Sequence, residues 1–355
     1  MKVAHIITNL KLGGPCKVMT ENIHHLPSDV ESTVFYCKEL EGFENPLNAQ
    51  ALNYKSFKHL GEFDVIHSHG LRPDGVTALS ALLHRRPIHV STIHNYFREE
   101  LHNIYGSRAA KWIPPLWVRA WQRMDGLVVL TNDAKSYYEN IFPSEKLHVV
   151  GNGMDLSLSD KEINSRDKEK LLNLKEKYKI IGSNSHIIKR KGLDQVIEAL
   201  VELPDYALVV VGEGPYRAEL EELALSLNVA DRCVFFGFKR NAINYTSYYD
   251  IYIMASHNEG FGLALIEGMA CGVPCVCSNI PTFREILTTK EGAFFTLGNI
   301  PSLIESLQYA YNNKEVLGGN GKKLYQQNYT GKVMADKYYS LYQDLINDKH
   351  RKEKN

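Results

Sequence analysis

The stretch IYIMASHNEGFGLALIEGMACGVPCVC, residues 251–277, decides the fold. Ile251–Met254 is a short apolar run of the kind that fills a buried strand, and Val273–Cys277 is another. Between them a glycine-rich turn opens onto a helical pattern over Leu263–Ala270. Strand, turn, helix and strand in that order make one βαβ unit. Two carboxylates, Glu259 and Glu267, stand eight residues apart across the turn. With a helix starting near Gly262, the amides of Phe261, Gly262 and Leu263 point out of its N-terminus, where an anion such as a diphosphate is held. Glu267 then lies roughly 7 Å along the axis, at ~1.5 Å per residue. That reaches a sugar ring beside the anion, while Glu259 stays in the loop to meet the other end of a ligand. The same carboxylates also suit a plain helix cap and a solvated helix face, and both readings stand at this point.

The rhythm extends in both directions. Val3–Ile7, Thr33–Tyr36, Val65–His67, His89–Ile93, Leu127–Leu130 and Leu147–Val150 read as buried strands in the first half. Ile180–Asn184, Leu208–Val211 and Val234–Phe236 continue it in the second, with helical patterns at Gly192–Leu203, Tyr216–Leu227 and Ile300–Asn312. Such alternation predicts parallel sheets with helices on both faces. A charged stretch from Leu156 to Lys177 interrupts it and reads as a linker with a solvated helix. The expected domains are therefore residues 1–160 and 161–330, with residues 331–355 a C-terminal helix crossing back to the first. Open α/β sheets bind ligands at the carboxyl ends of their strands, so two such Rossmann-like domains are expected to face each other across a cleft.

Composition narrows the classes. At 355 residues the chain suits two domains of ordinary size. A formal net charge of zero provides no overall field for nucleic acid, so no nucleic-acid partner is expected. The six cysteines include no CxxC pair, and three of them sit in the apolar run quoted above, a pattern of core thiols in a reducing compartment. The first residues are too short and polar for a signal peptide, and no run approaches the 18 or so apolar residues of a membrane span. A cytoplasmic protein is expected.

Other segments carry local chemistry. Gly13-Gly14-Pro15 opens a helix after the first strand and either brings amides toward an anion or makes a tight turn. The ordinary dinucleotide fingerprint GxGxxG is missing from both halves. His67, His69 and His94 fall at strand ends, but His-x-His with a distant third histidine is a weak zinc signature, and no metal is expected. All three tryptophans, Trp112, Trp117 and Trp121, fall within ten residues. Eight Lys/Arg against three acids lie between Arg72 and Arg123. Tryptophan with basic residues suits a membrane interface, so 108–123 is a candidate for peripheral contact with the inner face of the plasma membrane. A packed crossover helix with solvated basic positions is the other reading.

The Glu259-x7-Glu267 pair, in its Gly-Phe-Gly-Leu and Met-Ala-x-Gly-x-Pro frame, closely resembles the retaining glycosyltransferase family 4 of the GT-B fold. Matches run over nearly the whole chain, including Gly13-Gly14, Asp64–His69, Thr92–His94, Asn152–Asp155, Lys191-Gly192, Gly212–Pro215 and Phe235–Gly237. The resemblance implies a nucleotide-sugar donor, with UDP the expected nucleotide, and a glycan or lipid-linked acceptor. The expected setting is lipopolysaccharide, capsule or another surface polysaccharide. It implies catalytic roles for His94, Glu259 and Lys191. His94 reaches the transferred sugar, Glu259 holds its hydroxyls and Lys191 neutralises the diphosphate. Gly14 offers its amide, Phe261, Gly262 and Leu263 bind sugar and phosphate, and Glu267 holds the ribose.

The family's usual arginine, a few residues before Lys191, is replaced here by His186. Either His186 donates to phosphate or Arg190 or Lys189 supplies the charge, with His186 filling space beneath the strand end. A departing nucleoside diphosphate needs its charge stabilised. Lys191, His186 and helix N-termini are expected to do this without a metal or other cofactor. No residue stands out as a carboxylate nucleophile, so same-face substitution is expected. A phosphorylase or sugar epimerase of this architecture, or a non-catalytic nucleotide-sugar-binding subunit, remain the alternatives.

Overall fold

The computed structural model describes residues 1–10, 13–38, 47–96, 114–156 and 163–354, the side chain of Glu353 excepted. Its contacts divide the chain into two compact units, Met1–Asp155 with Tyr329–Asn355, and Leu156–Asn328.

The first unit is a seven-stranded parallel sheet. Its strands are β1 (Lys2–Ile7), β2 (Glu31–Tyr36), β3 (Gln50–Ala51), β4 (Val65–His69), β5 (Ile88–Ile93), β6 (Gly126–Val129) and β7 (Leu147–Val149), in the order β3-β2-β1-β4-β5-β6-β7. Its helices are α1 (Gly14–His25), α2 (Tyr54–His59), α3 (Leu71–Leu83), α4 (114–122) and α5 (Asn132–Tyr138). The three central crossovers leave β4, β5 and β6 buried along their whole length. That burial is why they read as apolar runs rather than as alternating patterns.

The second unit begins with α6 (Ser165–Lys175) and has six parallel strands. They are β8 (Lys179–Asn184), β9 (Tyr206–Val211), β10 (Cys233–Phe235), β11 (Ile251–Met254), β12 (Cys275–Ser278) and β13 (Gly292–Phe295), in the order β10-β9-β8-β11-β12-β13. Helices α7 (Leu193–Ala199), α8 (Arg217–Ser226), α9 (Leu263–Ala270), α10 (Pro281–Ile286), α11 (Ile300–Asn312) and α12 (Lys314–Asn328) follow its strands. The last helix, α13 (Gly331–Lys354), belongs to the first unit and packs on α1 and β5.

Three expectations need correction. Helix α6 is not simply solvated. Leu171 and Leu174 are buried, and Asp167 takes hydrogen bonds from Lys239 and Tyr245 at 2.6 and 2.5 Å. Strand β13 and helix α12 were not expected. Three glycines, Gly318, Gly319 and Gly321, disguise α12, because each costs about 1 kcal/mol against alanine in a helix. Packing overrides that penalty at Gly318, where a Cβ would come within 2.1 Å of the Gly272 carbonyl oxygen just past α9.

The tryptophans are the third correction. Residues 108–113, Trp112 among them, lie outside the described residues. Trp117 and Trp121, on α4, are 7% and 1% exposed and pack in the core with Tyr138 and Phe142, not at any surface. Their indole N–H groups donate to the Oδ2 of Asp74 at 2.7 and 3.0 Å, while Ser68 and Ser91 donate to its Oδ1 at 2.7 and 2.8 Å. One buried carboxylate thus ties α3, α4, β4 and β5 together. Removing it strands four donors in the core. Asp74→Ala should lower unfolding stability by at least about 3 kcal/mol, the size of a broken buried charge network. Denaturant unfolding followed by tryptophan fluorescence checks this, with Asp74→Asn falling in between.

Candidate active site

In each sheet the strand order reverses at one place, between β1 and β4 in the first and between β8 and β11 in the second. Crevices at the carboxyl ends of strands form at such reversals. Most of the residues singled out by the sequence fall at these two places.

In the second unit the loop after β8 runs through Ser185–Ile188 into a single 3-10 turn, Lys189–Lys191. It is propped from behind by the Gly212-Glu213-Gly214 segment after β9: Ser185 and Ile187 donate backbone hydrogen bonds to Val211 and Glu213. Gly192 then takes φ +62°, and a Cβ there would meet the Ala255 carbonyl oxygen at 2.2 Å. This glycine allows the β8 loop to lie directly on the β11 loop. The contact is sealed by His257, whose amide donates to the Arg190 carbonyl at 2.9 Å.

Glu259 lies at this junction, 8% exposed. Its Oε1 accepts from Lys191 Nζ at 2.5 Å and from Ser256 Oγ at 2.7 Å, and its Oε2 faces Arg190 at 3.5 Å. Arg190 also donates to the Asn258 carbonyl at 2.6 Å, and Thr282 donates to the Glu259 carbonyl at 2.9 Å. Burial raises the Glu259 pKa, but Lys191 and Arg190 more than offset it and hold the carboxyl below its ordinary value. Glu259 is therefore an ionised, oriented acceptor rather than a loose loop residue. Arg190, Ser256 and Thr282 were not assigned from sequence; only Arg190's charge hinted at a role.

Helix α9 begins right after this knot. Gly262 is its N-cap at φ +92°, with no side-chain cap bond, and a Cβ there would sit 2.8 Å from the Phe283 ring. Phe261 is buried, while Leu263, the first residue of the helix, and Glu267, one turn further along, are partly exposed. The Glu267 carboxylate lies near Tyr249 and Tyr252; behind burial, it helps push both phenols up. His186 is exposed, so the space-filling reading of that residue is wrong. Arg190 is committed to Asn258 and Glu259, which leaves His186 and the exposed Lys189 facing solvent in the same loop.

In the first unit Gly14 opens α1 behind Gly13, with Pro15 in the first turn. His94 follows β5, and its Nε2 lies 3.2 Å from His69 Nδ1 at the end of β4. His69 stacks on His67 and His5, whose ring centres lie 4.3 and 6.3 Å away. His67 places its two ring nitrogens 2.7 Å from the Tyr342 and Thr92 hydroxyls. Burial holds His94 at about 4 and His5 at about 3, and keeps His67 and His69 well below the ordinary value. The sequence grouped His67 and His69 with His94. The structure adds His5, the register partner of His67 on β1, which no spacing rule could reveal. The ligand atoms of His5, His67 and His69 lie within 4.8 Å of one another. Both His67 nitrogens are taken by hydroxyls, whereas both nitrogens of His5 and the Nε2 of His69 are buried without a hydrogen-bond partner. Among the described residues no helix is long and apolar enough to cross a membrane.

Comparison with known proteins bears on this geometry. A family model described as "Glycosyl transferases group 1" matches residues 164–327, and one described as "Glycosyltransferase Family 4" matches residues 24–158. The chain is 31% identical to the O-antigen biosynthesis glycosyltransferase WclY of Escherichia coli, over 98% of this chain and 99% of that one. It is 24% identical to a UDP-Gal:alpha-D-GlcNAc-diphosphoundecaprenol alpha-1,3-galactosyltransferase of Escherichia coli, over 98% of each. In structure it is similar to Anabaena HepE in complex with UDP, with a TM-score of 0.81 at 19% identity, covering 97% of this chain and 100% of that one. The sucrose-phosphate synthase of Thermosynechococcus elongatus gives 0.75 at 18% identity, covering 98% and 100%. Both units thus have the GT-B type of parallel-sheet fold.

Two outcomes follow from the charges. Lys191→Ala leaves the buried Glu259 with the Ser256 hydrogen bond and the longer Arg190 contact, and should cost about 3 kcal/mol at neutral pH. Adding Glu259→Gln should recover part of that, as a double-mutant cycle in denaturant would show. The depressed Glu259 contributes stability above its ordinary value of 4.5 and loses it as pH falls through the lower folded value. The histidines respond at higher pH. Below 6.5 the unfolded chain protonates imidazoles that stay neutral in the fold down to about 4 for His94 and about 3 for His5. Each such ring costs about 1.4 kcal/mol per pH unit, so the first unit should melt before the second on acidification from pH 6.5. Domain-resolved hydrogen exchange would detect the order.

Proposed function

Because this chain belongs to the glycosyltransferase family that these two models describe, we propose that it is a retaining hexosyltransferase taking its sugar from a UDP-sugar. The acceptor is a glycan or lipid-linked glycan in O-antigen or related surface-polysaccharide synthesis. The observation that carries this reading is the convergence of Lys191, Arg190 and Glu259 at the strand reversal of the second unit, next to the start of α9. The relative's printed role in O-antigen synthesis and the UDP held by the structural neighbour support the acceptor class and the nucleotide.

In this reading the diphosphate lies against the amides at the start of α9 and draws Lys191, with His186 and Lys189 adding donors from the same loop. Glu267 accepts from the ribose hydroxyls. Glu259, kept ionised by Arg190 and Ser256, accepts from hydroxyls of the transferred sugar. Burial keeps His94 a neutral ring, so its part in the reaction is that of a hydrogen-bonding group rather than an acid. The bond from the anomeric carbon to the phosphate oxygen breaks through an oxocarbenium-like state. The acceptor oxygen attacks from the same face, and its proton passes to the leaving phosphate. Cations and helix amides stabilise the departing charge, so no divalent metal is needed.

A thermal-shift series with UDP and UDP-sugars tests the donor, since a ligand at 100 times its dissociation constant stabilises by ~2.7 kcal/mol. Lys191→Ala and Glu267→Ala should weaken the shift and reduce donor turnover by ~10²-fold or more, with EDTA leaving wild-type turnover unchanged. Unaltered UDP affinity and turnover in both variants would sink the site. A glycosyl adduct trapped on Glu259 would overturn same-face substitution.

A further inference from the structure

Helices α3 and α4 lie side by side, linked by the Asp74 bonds to Trp117 and Trp121. Their inner faces are fully accounted for; their outer faces are not. On α3 the exposed positions are Arg72, Gly75, Leu79, Leu82 and Leu83, which recur at helical spacing along one face. Leu82 and Leu83 are 60% and 62% exposed, and Leu116 on α4 is 65% exposed. Three exposed leucines along one face of α3, with a fourth on the helix that Asp74 ties to it, present apolar surface of the kind that marks an interaction site.

The surrounding charge is mainly positive, with Asp125 the acid among the residues of the depression below. Arg119 and Arg123 stand exposed on and just after α4, and Arg85 and Arg86 just after α3. Arg85 and Arg123 line one shallow depression with Lys349 of α13. No exposed position of either helix carries a carboxylate. Three nearby acids among the described residues are engaged: Asp74 is buried with its four donors, Asp64 pairs with Arg86 at 3.0 Å, and Asp125 faces His89 and Lys349 at 3.5 and 3.8 Å. Such a face repels a second copy of itself, because self-association would set arginine against arginine. It complements a sheet of negative charge with an apolar interior beneath. Leucine side chains enter the headgroup boundary while arginines stay among phosphates.

We propose that the outer faces of α3 and α4 are a docking surface for an anionic lipid bilayer, with Leu79, Leu82, Leu83 and Leu116 inserting and Arg85, Arg119 and Arg123 binding headgroup phosphates. The contact is peripheral. It moves the membrane surface away from the tryptophans, which are core, to leucines that the sequence concealed within an ordinary crossover helix. The inference is independent of the donor reading, because none of these residues belongs to the candidate active site.

Flotation of the full chain tests it, comparing vesicles of phosphatidylglycerol mixed with phosphatidylcholine against phosphatidylcholine alone. The wild type should float with the mixed vesicles and stay behind with the neutral ones, and salt should weaken its binding. Arg119→Glu with Arg123→Glu should reduce the bound fraction by tenfold or more, at about fivefold per cation lost near the surface. Leu82→Ser with Leu83→Ser should reduce binding at unchanged charge. Thermal melts and UDP-sugar hydrolysis should match wild type in both variants. That result separates lost docking from lost folding and from any failure of the donor site. The proposal is overturned if the wild type fails to float with mixed vesicles or if both variants float undiminished. It is equally overturned if light scattering shows a wild-type dimer that the leucine variant abolishes, since the face is then a self-interface.

Discussion

The ion pair between Lys191 and Glu259 is the interaction on which the site in the second unit depends. Both groups are largely removed from water, and an ionised carboxylate there is tolerable only because Lys191, Arg190 and Ser256 satisfy it together. The pair also fixes geometry. Lys191 comes from the loop after β8 and Glu259 from the loop after β11, strands that are neighbours in space but some 70 residues apart in the chain. Gly192 allows their backbones to touch, and the pair then sets where both loops end and where α9 starts. A larger residue at 192 would separate the loops and unmake the charge arrangement without touching either charged group.

The first unit solves its polar burial in the opposite way. Its strand reversal holds imidazoles rather than ions, and they remain neutral because desolvation outweighs any gain from protonation. His67 bonds the hydroxyls of Thr92 and Tyr342, Tyr338 bonds Thr92 in turn, and His69 bonds His94, so α13 closes one side of the stack. The buried carboxyl of Asp74 accepts from four neutral donors, and burial raises its pKa above the ordinary value. The two sheets share a topology but differ in electrostatics. One strand reversal buries a set of neutral imidazoles and the other an ion pair with a second cation beside it.

Much of this was legible in the sequence. The fully buried central strands appear as uninterrupted apolar runs, and the glycine-rich turn at Gly262 is where α9 was expected to begin and does. What was not legible depends on partners far away in sequence. His5 joins the stack only through its register with His67. Arg190 and Ser256 gain importance only because the β8 and β11 loops meet. Helix α12 hides behind glycines whose reason lies at Gly272. The tryptophans misled for a related reason. An indole beside arginines looks amphipathic until the buried acceptor for its N–H, here Asp74, is known.

The charge balance at the second strand reversal bears on how a donor would be exchanged. Lys191 and Arg190 face a single carboxylate, Glu259, and His186 and Lys189 stand exposed in the same loop. In the proposed donor reading, a diphosphate with its two to three charges would compete with Glu259 for Lys191. Glu259 would yield that lysine and stay ionised because Arg190 and Ser256 remain, which would free an oxygen lone pair for sugar hydroxyls as the phosphate arrives. Before that exchange, the ion pair restricts a flexible lysine to one place and so reduces the ordering cost of binding. The second cation is therefore what permits the first to change partners, and in this chain it comes from Arg190, one residue before the lysine it supports.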